Sequence, residues 1–168
     1  MVSETYVECL VAKKSSFALR LLKTLLIMFA VIFLILGMIS TLSISGLIIA
    51  IVLGVGAYFA HMNADIEYEY LYLDKEISID KVMAKSKRKR IVSYDVERME
   101  ILAPVKSYHL DSFKNREMKT VDYSSGVVEQ PDKRYMMVYE GNTKIFLEPS
   151  AEMIKAIQMV APRKVFTD

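Results

Sequence analysis

Residues 24–64 read TLLIMFAVIFLILGMISTLSISGLIIAIVLGVGAYFAHMNA, 41 positions without one Lys, Arg, Asp or Glu in a chain that is 25% charged. A wholly apolar helix crosses the roughly 30 Å hydrocarbon layer in about 20 residues, at about 1.5 Å per residue. The block is two crossings long, and it carries its own break at Ser40-Thr41-Leu42-Ser43-Ile44-Ser45-Gly46. It reads as a transmembrane helical hairpin over 21–62, with spans at 21–39 and 44–60 joined by a very short turn. A cleaved secretory signal fits poorly. The apolar run is too long, no small-residue cleavage site precedes the second run, and that run follows at once.

The flanking charge sets an orientation. Lys13, Lys14, Arg20 and Lys23 precede the block, and the connecting turn carries no charge. By the positive-inside rule both termini are expected in the cytoplasm with the turn outside, as in a multi-pass protein of the inner (cell) membrane. Lys23 can lay its stem in the apolar layer while its ammonium reaches the interface. Residues 1–20 are then a cytoplasmic lead-in and 65–168 a cytoplasmic domain. Beyond the block stand 18 basic and 18 acidic residues. A balanced domain without a broad basic face argues against nucleic acid as a partner. The lone Cys9 rules out an intramolecular disulfide and removes thiolate metal clusters.

Within the second span Gly46, Ala50, Gly54 and Ala57 fall along one helical stripe that lets a neighbouring backbone approach closely. A short turn forces the two spans side by side, so the stripe is expected to pack against Ala30 and Gly37 of the first. A homodimer seam is its alternative use. Apart from Lys23 at the edge of the first, neither span holds a charged residue, which argues against an ion pathway or proton relay.

From Asp65 the pattern changes to strands. Ile66, Tyr68, Tyr70 and Tyr72 alternate onto one face. Asp74-Lys75 reads as a turn into a strand over 76–84, the basic run 85–90 as the next turn, and 90–94 and 96–102 as further strands. A short strand over 119–123 follows, then 134–139 and 143–147 around the tight turn Glu140-Gly141-Asn142. Ser150 is a good N-cap for a final helix with Met153, Ile154, Ile157, Val160 and Ala161 on one face, ended by Pro162. The expected class is α+β: an N-terminal transmembrane hairpin, then a small antiparallel β domain capped by a C-terminal amphipathic helix.

Over residues 65–162 this order of elements resembles bacterial membrane proteins with a pleckstrin-homology-like domain. The stretches ADIEYEYLYLDKEISIDKVMAKSKRKR (64–90), ERMEILAPVKSYHLD (97–111) and APRKVFTD (161–168) resemble a family of small bacterial two-span membrane proteins carrying a domain of unknown function. The resemblance implies scaffolding or binding rather than catalysis, an inference by analogy of fold.

Five cations, Lys85, Lys87, Arg88, Lys89 and Arg90, crowd into six positions. They read either as a contact for anionic lipid headgroups, each adding about 1 kcal/mol near the surface, or as a solvated hairpin turn. The tyrosine row reads as the core side of its strand, and Glu67 and Glu69 opposite it as solvated carboxylates. His61 is expected to cap the inner membrane boundary, and His109 lies near Asp111. No Gly-x-Ser-x-Gly, phosphate loop or His-Glu-x-x-His pattern is present, and nothing brings a nucleophile to a base. The expectation is a non-enzymatic, membrane-anchored scaffold or binding protein with no cofactor and no metal. It would contact membrane lipids or a protein partner. The alternative is an accessory subunit that regulates a membrane enzyme or transporter through its hairpin.

Overall fold

In the computed structural model, which describes residues 6–39 and 43–168, a strand comes first. β1 (Val7–Ala12) precedes the helices α1 (Phe17–Ile39) and α2 (Ser43–Ala64). β2 (Ile66–Leu73), β3 (Glu76–Met83), β4 (Lys87–Asp95) and β5 (Met99–Pro104) follow. The chain then runs through a one-turn helix α3 (Asp111–Lys114), β6 (Lys119–Asp122), β7 (Tyr135–Tyr139), β8 (Thr143–Leu147) and α4 (Ala151–Val160). Two compact units result, one of Ser15–Ile66 with Met83–Lys87 and one made of the remaining β elements and α4.

Both helices of the first unit are long and apolar enough to cross a membrane, with mean hydropathy 2.6 over Phe17–Ile39 and 2.0 over Ile44–Ala64. Only 6% and 22% of their apolar windows are covered by protein, whereas a core helix of a soluble domain would be mostly covered. They run longer than the sequence spans, starting at Phe17 and ending at Ala64. The least exposed positions pass through Leu19, Lys23, Leu26, Ala30, Phe33 and Gly37 on α1. On α2 they pass through Gly46, Ala50, Leu53, Ala57, Ala60 and Ala64. Steps alternating between four and three residues are the seam of a left-handed helix pair. A Cβ at Gly46 would stand 2.9 Å from the Gly37 Cα, so a pair of glycines sets the closest approach. Gly54 lies off this seam: it is exposed, and nothing lies within 4 Å of where its Cβ would be. The step of four from Ala50 carries it past the contact, and Leu53 takes the position. Residues 40–42 of the expected turn lie outside the described residues.

The second unit contains two four-stranded sheets, ordered β1-β2-β3-β4 and β5-β7-β8-β6. The sequence reading of 1–20 as a lead-in needs correction here. Val7–Ala12 is a strand of the domain, paired antiparallel with β2 from Val7↔Tyr72 to Ala12↔Glu67. The hairpin is therefore an insertion between the first two strands of one sheet. Asp74 and Lys75 take positive φ (48° and 66°) between β2 and β3, the backbone of a two-residue hairpin turn. The stretch expected as a strand from 96 opens with a 3₁₀ turn over Val96–Arg98, whose first amide side is held by Asp95. The strand proper starts at Met99.

The second sheet is antiparallel except that β6 runs parallel to β8, because the long connection through α3 brings the chain back to the same end. Both its faces are covered. Leu102, Met137, Ile145 and Leu147 are buried on one side. On the other, Ile101, Ala103, Met136 and Val138 pack under Leu110, Phe113, Met118 and Phe166. The C-terminal segment closes the β5 edge through Leu102 N–H to Lys164 O (2.7 Å) and Phe166 N–H to Leu102 O (2.9 Å). Ser150 caps α4, its Oγ accepting from Met153 N–H (3.2 Å), and Met153, Ile154, Ala156 and Ile157 are buried. The helix lies against β1. Val160, expected on the same apolar face, is partly exposed.

Candidate functional site

The basic run is less of a turn than its charge implies. Only residues 84–86 turn, and Lys87, Arg88, Lys89 and Arg90 already belong to β4. Ala84 and Lys85 sit at φ 48° and 54°, and Ser86 N–H closes the turn on Met83 O at 3.1 Å. Charge placed these residues in solvent, and an exposed edge strand satisfies that requirement as well as a loop does, with lysines that discourage pairing to another edge.

This turn belongs to the same compact unit as the apolar helices. Ala84 N–H donates to Asp65 O at 2.8 Å, and Asp65 directly follows the last residue of α2. At that end of the hairpin Lys23 Nζ donates to His61 Nδ1 (2.9 Å), so the imidazole faces the ammonium as an acceptor. Asp65 Oδ2 stands 4.0 Å from the same nitrogen. Arg20, nearly one turn before Lys23, is exposed. Arg20, Lys23, Lys85 and Lys87 thus collect within one unit.

The five cations separate by strand position. Arg88 donates to Glu69 Oε1 at 2.7 Å, and Arg90 Nε to Asp80 Oδ1 at 3.2 Å. Lys85, Lys87 and Lys89 are exposed and make no ion pair among the described residues. The two arginines pair with carboxylates of their own sheet, and the three lysines keep exposed ammonium groups.

Glu69 corrects a second expectation. Read as solvated, it is only 2% exposed. Burial pushes its carboxyl up from 4.5 to about 7, contact with Glu8 pushes the same way, and Arg88 opposes both. Glu8, beside Glu69 and accepting from the Tyr6 hydroxyl (2.9 Å), is held below the usual carboxylate range. The signal missing from the sequence was the strand before the hairpin, without which Glu8 has no visible neighbour. Tyr68, Tyr70 and Tyr72 are buried and form no open platform. The Tyr70 hydroxyl donates to Tyr123 O (2.7 Å) and burial pushes its phenol up. His109 meets Asp168 (Nε2 to Oδ1, 3.6 Å) and stacks on Phe166, while Asp111 pairs with Lys114 instead.

A family model described as "Bacterial PH-like domain (DUF6106)" matches residues 3–167. The chain belongs to this family. The match takes in β1 and the helical insertion as well as the sheets, so the PH-like unit and its two apolar helices form one family architecture. No curated protein and no solved structure matches the chain. PH-like domains are in general non-enzymatic binding modules, and a binding or scaffold role is what family membership supports.

Proposed function

We propose that this PH-like protein is a membrane-anchored binding module. In this reading α1 and α2 cross the bilayer with both ends on the cytoplasmic side, and Lys85, Lys87 and Lys89 meet anionic lipid headgroups. The carrying observation is the hydrogen bond from Ala84 N–H to Asp65 O (2.8 Å). It joins the basic turn to the residue at which α2 would leave the apolar layer, and an anionic surface acts over roughly 8 Å at physiological salt, which supports the reading. The pairing of Ala12 with Glu67 adds a constraint on topology. Chain segments on either side of the hairpin are neighbours in one sheet, which supports a topology with both ends of the hairpin on one side of the membrane. The lysines and arginine beside α1 and in the turn then favour the cytoplasmic side.

The chain contains no Trp, so Ser86→Trp places a single reporter on the turn. In nanodiscs the full chain should show quenching of this Trp by headgroup-labelled anionic lipid, weakening as salt rises from about 0.01 M to about 0.15 M. Replacing Lys85, Lys87 and Lys89 with Ser should remove the salt-dependent part. Equal quenching in anionic and neutral bilayers at every salt concentration would overturn the reading.

A further inference from the structure

Glu69, on β2 of the first sheet, is a buried charged side chain that a lipid-facing role does not explain. It is almost fully buried, Arg88 satisfies only Oε1, and Oε2 has no hydrogen-bond partner. A buried carboxylate oxygen without a donor is costly, and the cost disappears if the oxygen carries a proton and donates it. An acceptor stands ready. In the β1–β2 ladder Leu10 opposes Glu69 and Glu8 opposes Leu71, so Glu8 and Glu69 are diagonal neighbours on one face, within reach of long side chains. Glu8 is itself supplied by the Tyr6 hydroxyl.

We propose that Glu8 and Glu69 share one proton across the β1–β2 seam, and that this proton clasps the N-terminal strand to the sheet. Oε2–H of Glu69 donates to the Glu8 carboxylate while Oε1 accepts from Arg88. Loss of the proton leaves two carboxylates facing each other, one of them buried, with a single guanidinium between them and solvent. The other charged or titratable groups on this side, among the described residues, include Tyr6 ahead of β1, Glu67 on β2, Asp74 in the β2–β3 turn, Glu76 and Asp80 on β3 and Arg90 on β4. Asp80 and Arg90 pair with each other, so Arg88 is the only cation in direct contact with Glu69 among the described residues. Beside the pair lies a hollow of about 270 Å³ lined in part by Tyr6, Glu76, Ser78, Arg88 and Arg90.

The direction of the response follows from the raised affinity of Glu69 for its proton, from 4.5 to about 7. Between those values the folded sheet holds a proton that an unfolded chain has released, so β1 loses hold as pH rises through that window. The clasp is closed in mild acid and loosened above neutrality.

The test uses the full chain in nanodiscs and two readouts. Infrared difference spectra between about pH 5.5 and about pH 8.5 should show the carbonyl band of a protonated acid disappearing, a band absent at all pH in Glu69→Gln. Hydrogen exchange of the β1 amides, corrected for intrinsic rate against β7, should quicken severalfold over the same range in the parent. In Glu69→Gln, which keeps a donor and cannot titrate, it should stay flat. Glu8→Gln removes the acceptor charge and should move the midpoint to lower pH. A parent without the acid band at the lower pH, or β1 exchange that responds to pH equally in parent and Glu69→Gln, would overturn the proposal. Should Glu69→Gln fail to fold, the parent band and the Glu8→Gln midpoint decide alone.

Discussion

Ile157 and Val160 stand nearly one turn apart on α4 in opposite surroundings, the first 1% and the second 43% exposed. Periodicity assigned both to the apolar face, and the difference comes from where the helix ends: α4 stops at Val160, and its last turn runs past the core. Ile157→Asp should therefore destabilise the domain by several kcal/mol, because an unpaired carboxylate would be sealed among apolar side chains. Val160→Asp should stay within about 0.5 kcal/mol of the parent. Paired thermal melts of the full chain in detergent check this, and equal melting of the two variants would remove α4 from the core. Glu69 teaches the complementary point. Alternation separated Tyr68, Tyr70 and Tyr72 from Glu67 and Glu69 correctly as faces, but a face opposite the core is not always wet. What covers Glu69 is Arg88, 19 positions on, reaching across β3. Nothing local in the sequence announces a cover supplied from two strands away.

Among elements, the hairpin makes the sharpest demand on side-chain size. Gly46→Leu has to displace the Gly37 backbone, since even a Cβ would sit 2.9 Å from its Cα. Overpacking of this kind costs about 1–3 kcal/mol. Gly54→Leu meets open space and should leave the helix pair unchanged. Distances between spin labels on α1 and α2 in nanodiscs should lengthen in the first variant only. A lengthening in the second would mean that the seam runs through Gly54 after all. Most elements were legible because their signals are strong and local: an uncharged block for the helices, alternation for β2 and β3, a Gly-containing turn between β7 and β8, a Ser cap for α4. β1 was not. Val7–Ala12 is short, carries a Glu and a Cys, and lies ahead of the apolar block, where charge counting treats residues only as flanks. Its strand character comes from β2, through a ladder that closes only once the chain has returned. The basic run failed for a related reason: density of charge reports exposure, and an exposed strand edge and an exposed turn look alike.

At the scale of the molecule, a cut at residue 65 separates β1 from the sheet it pairs with. A fragment 65–168 lacks β1, leaves one edge of β2 unpaired and uncovers Tyr68, Tyr70 and Tyr72 along the side β1 and α4 share. It is expected to be aggregated or poorly folded. Joining residues 6–14 to 65–168 through a short flexible linker should restore a cooperative unfolding transition, because Ala12 and Glu67 are already ladder partners and closing a short loop costs little. Circular dichroism melts of the two fragments decide it. A cooperative 65–168 fragment with the same midpoint as the spliced one would show that β1 is dispensable.

The same ladder imposes an order on biosynthesis. Val7–Ala12 emerges from the ribosome early, yet its partner is not translated until both apolar helices have been made. At roughly 5–20 residues per second the strand waits several seconds, with Leu10 and Val11 unpaired. Under the proposed membrane-spanning reading, delivery of the hairpin into the bilayer would be the event that brings the waiting strand back to its partner. A faulty insertion that left the two ends on opposite faces would strand β1 across the membrane from the rest of its sheet. On that reading misinsertion and misfolding would be one failure, and quality control that recognises an unfinished sheet would also detect a wrongly threaded hairpin.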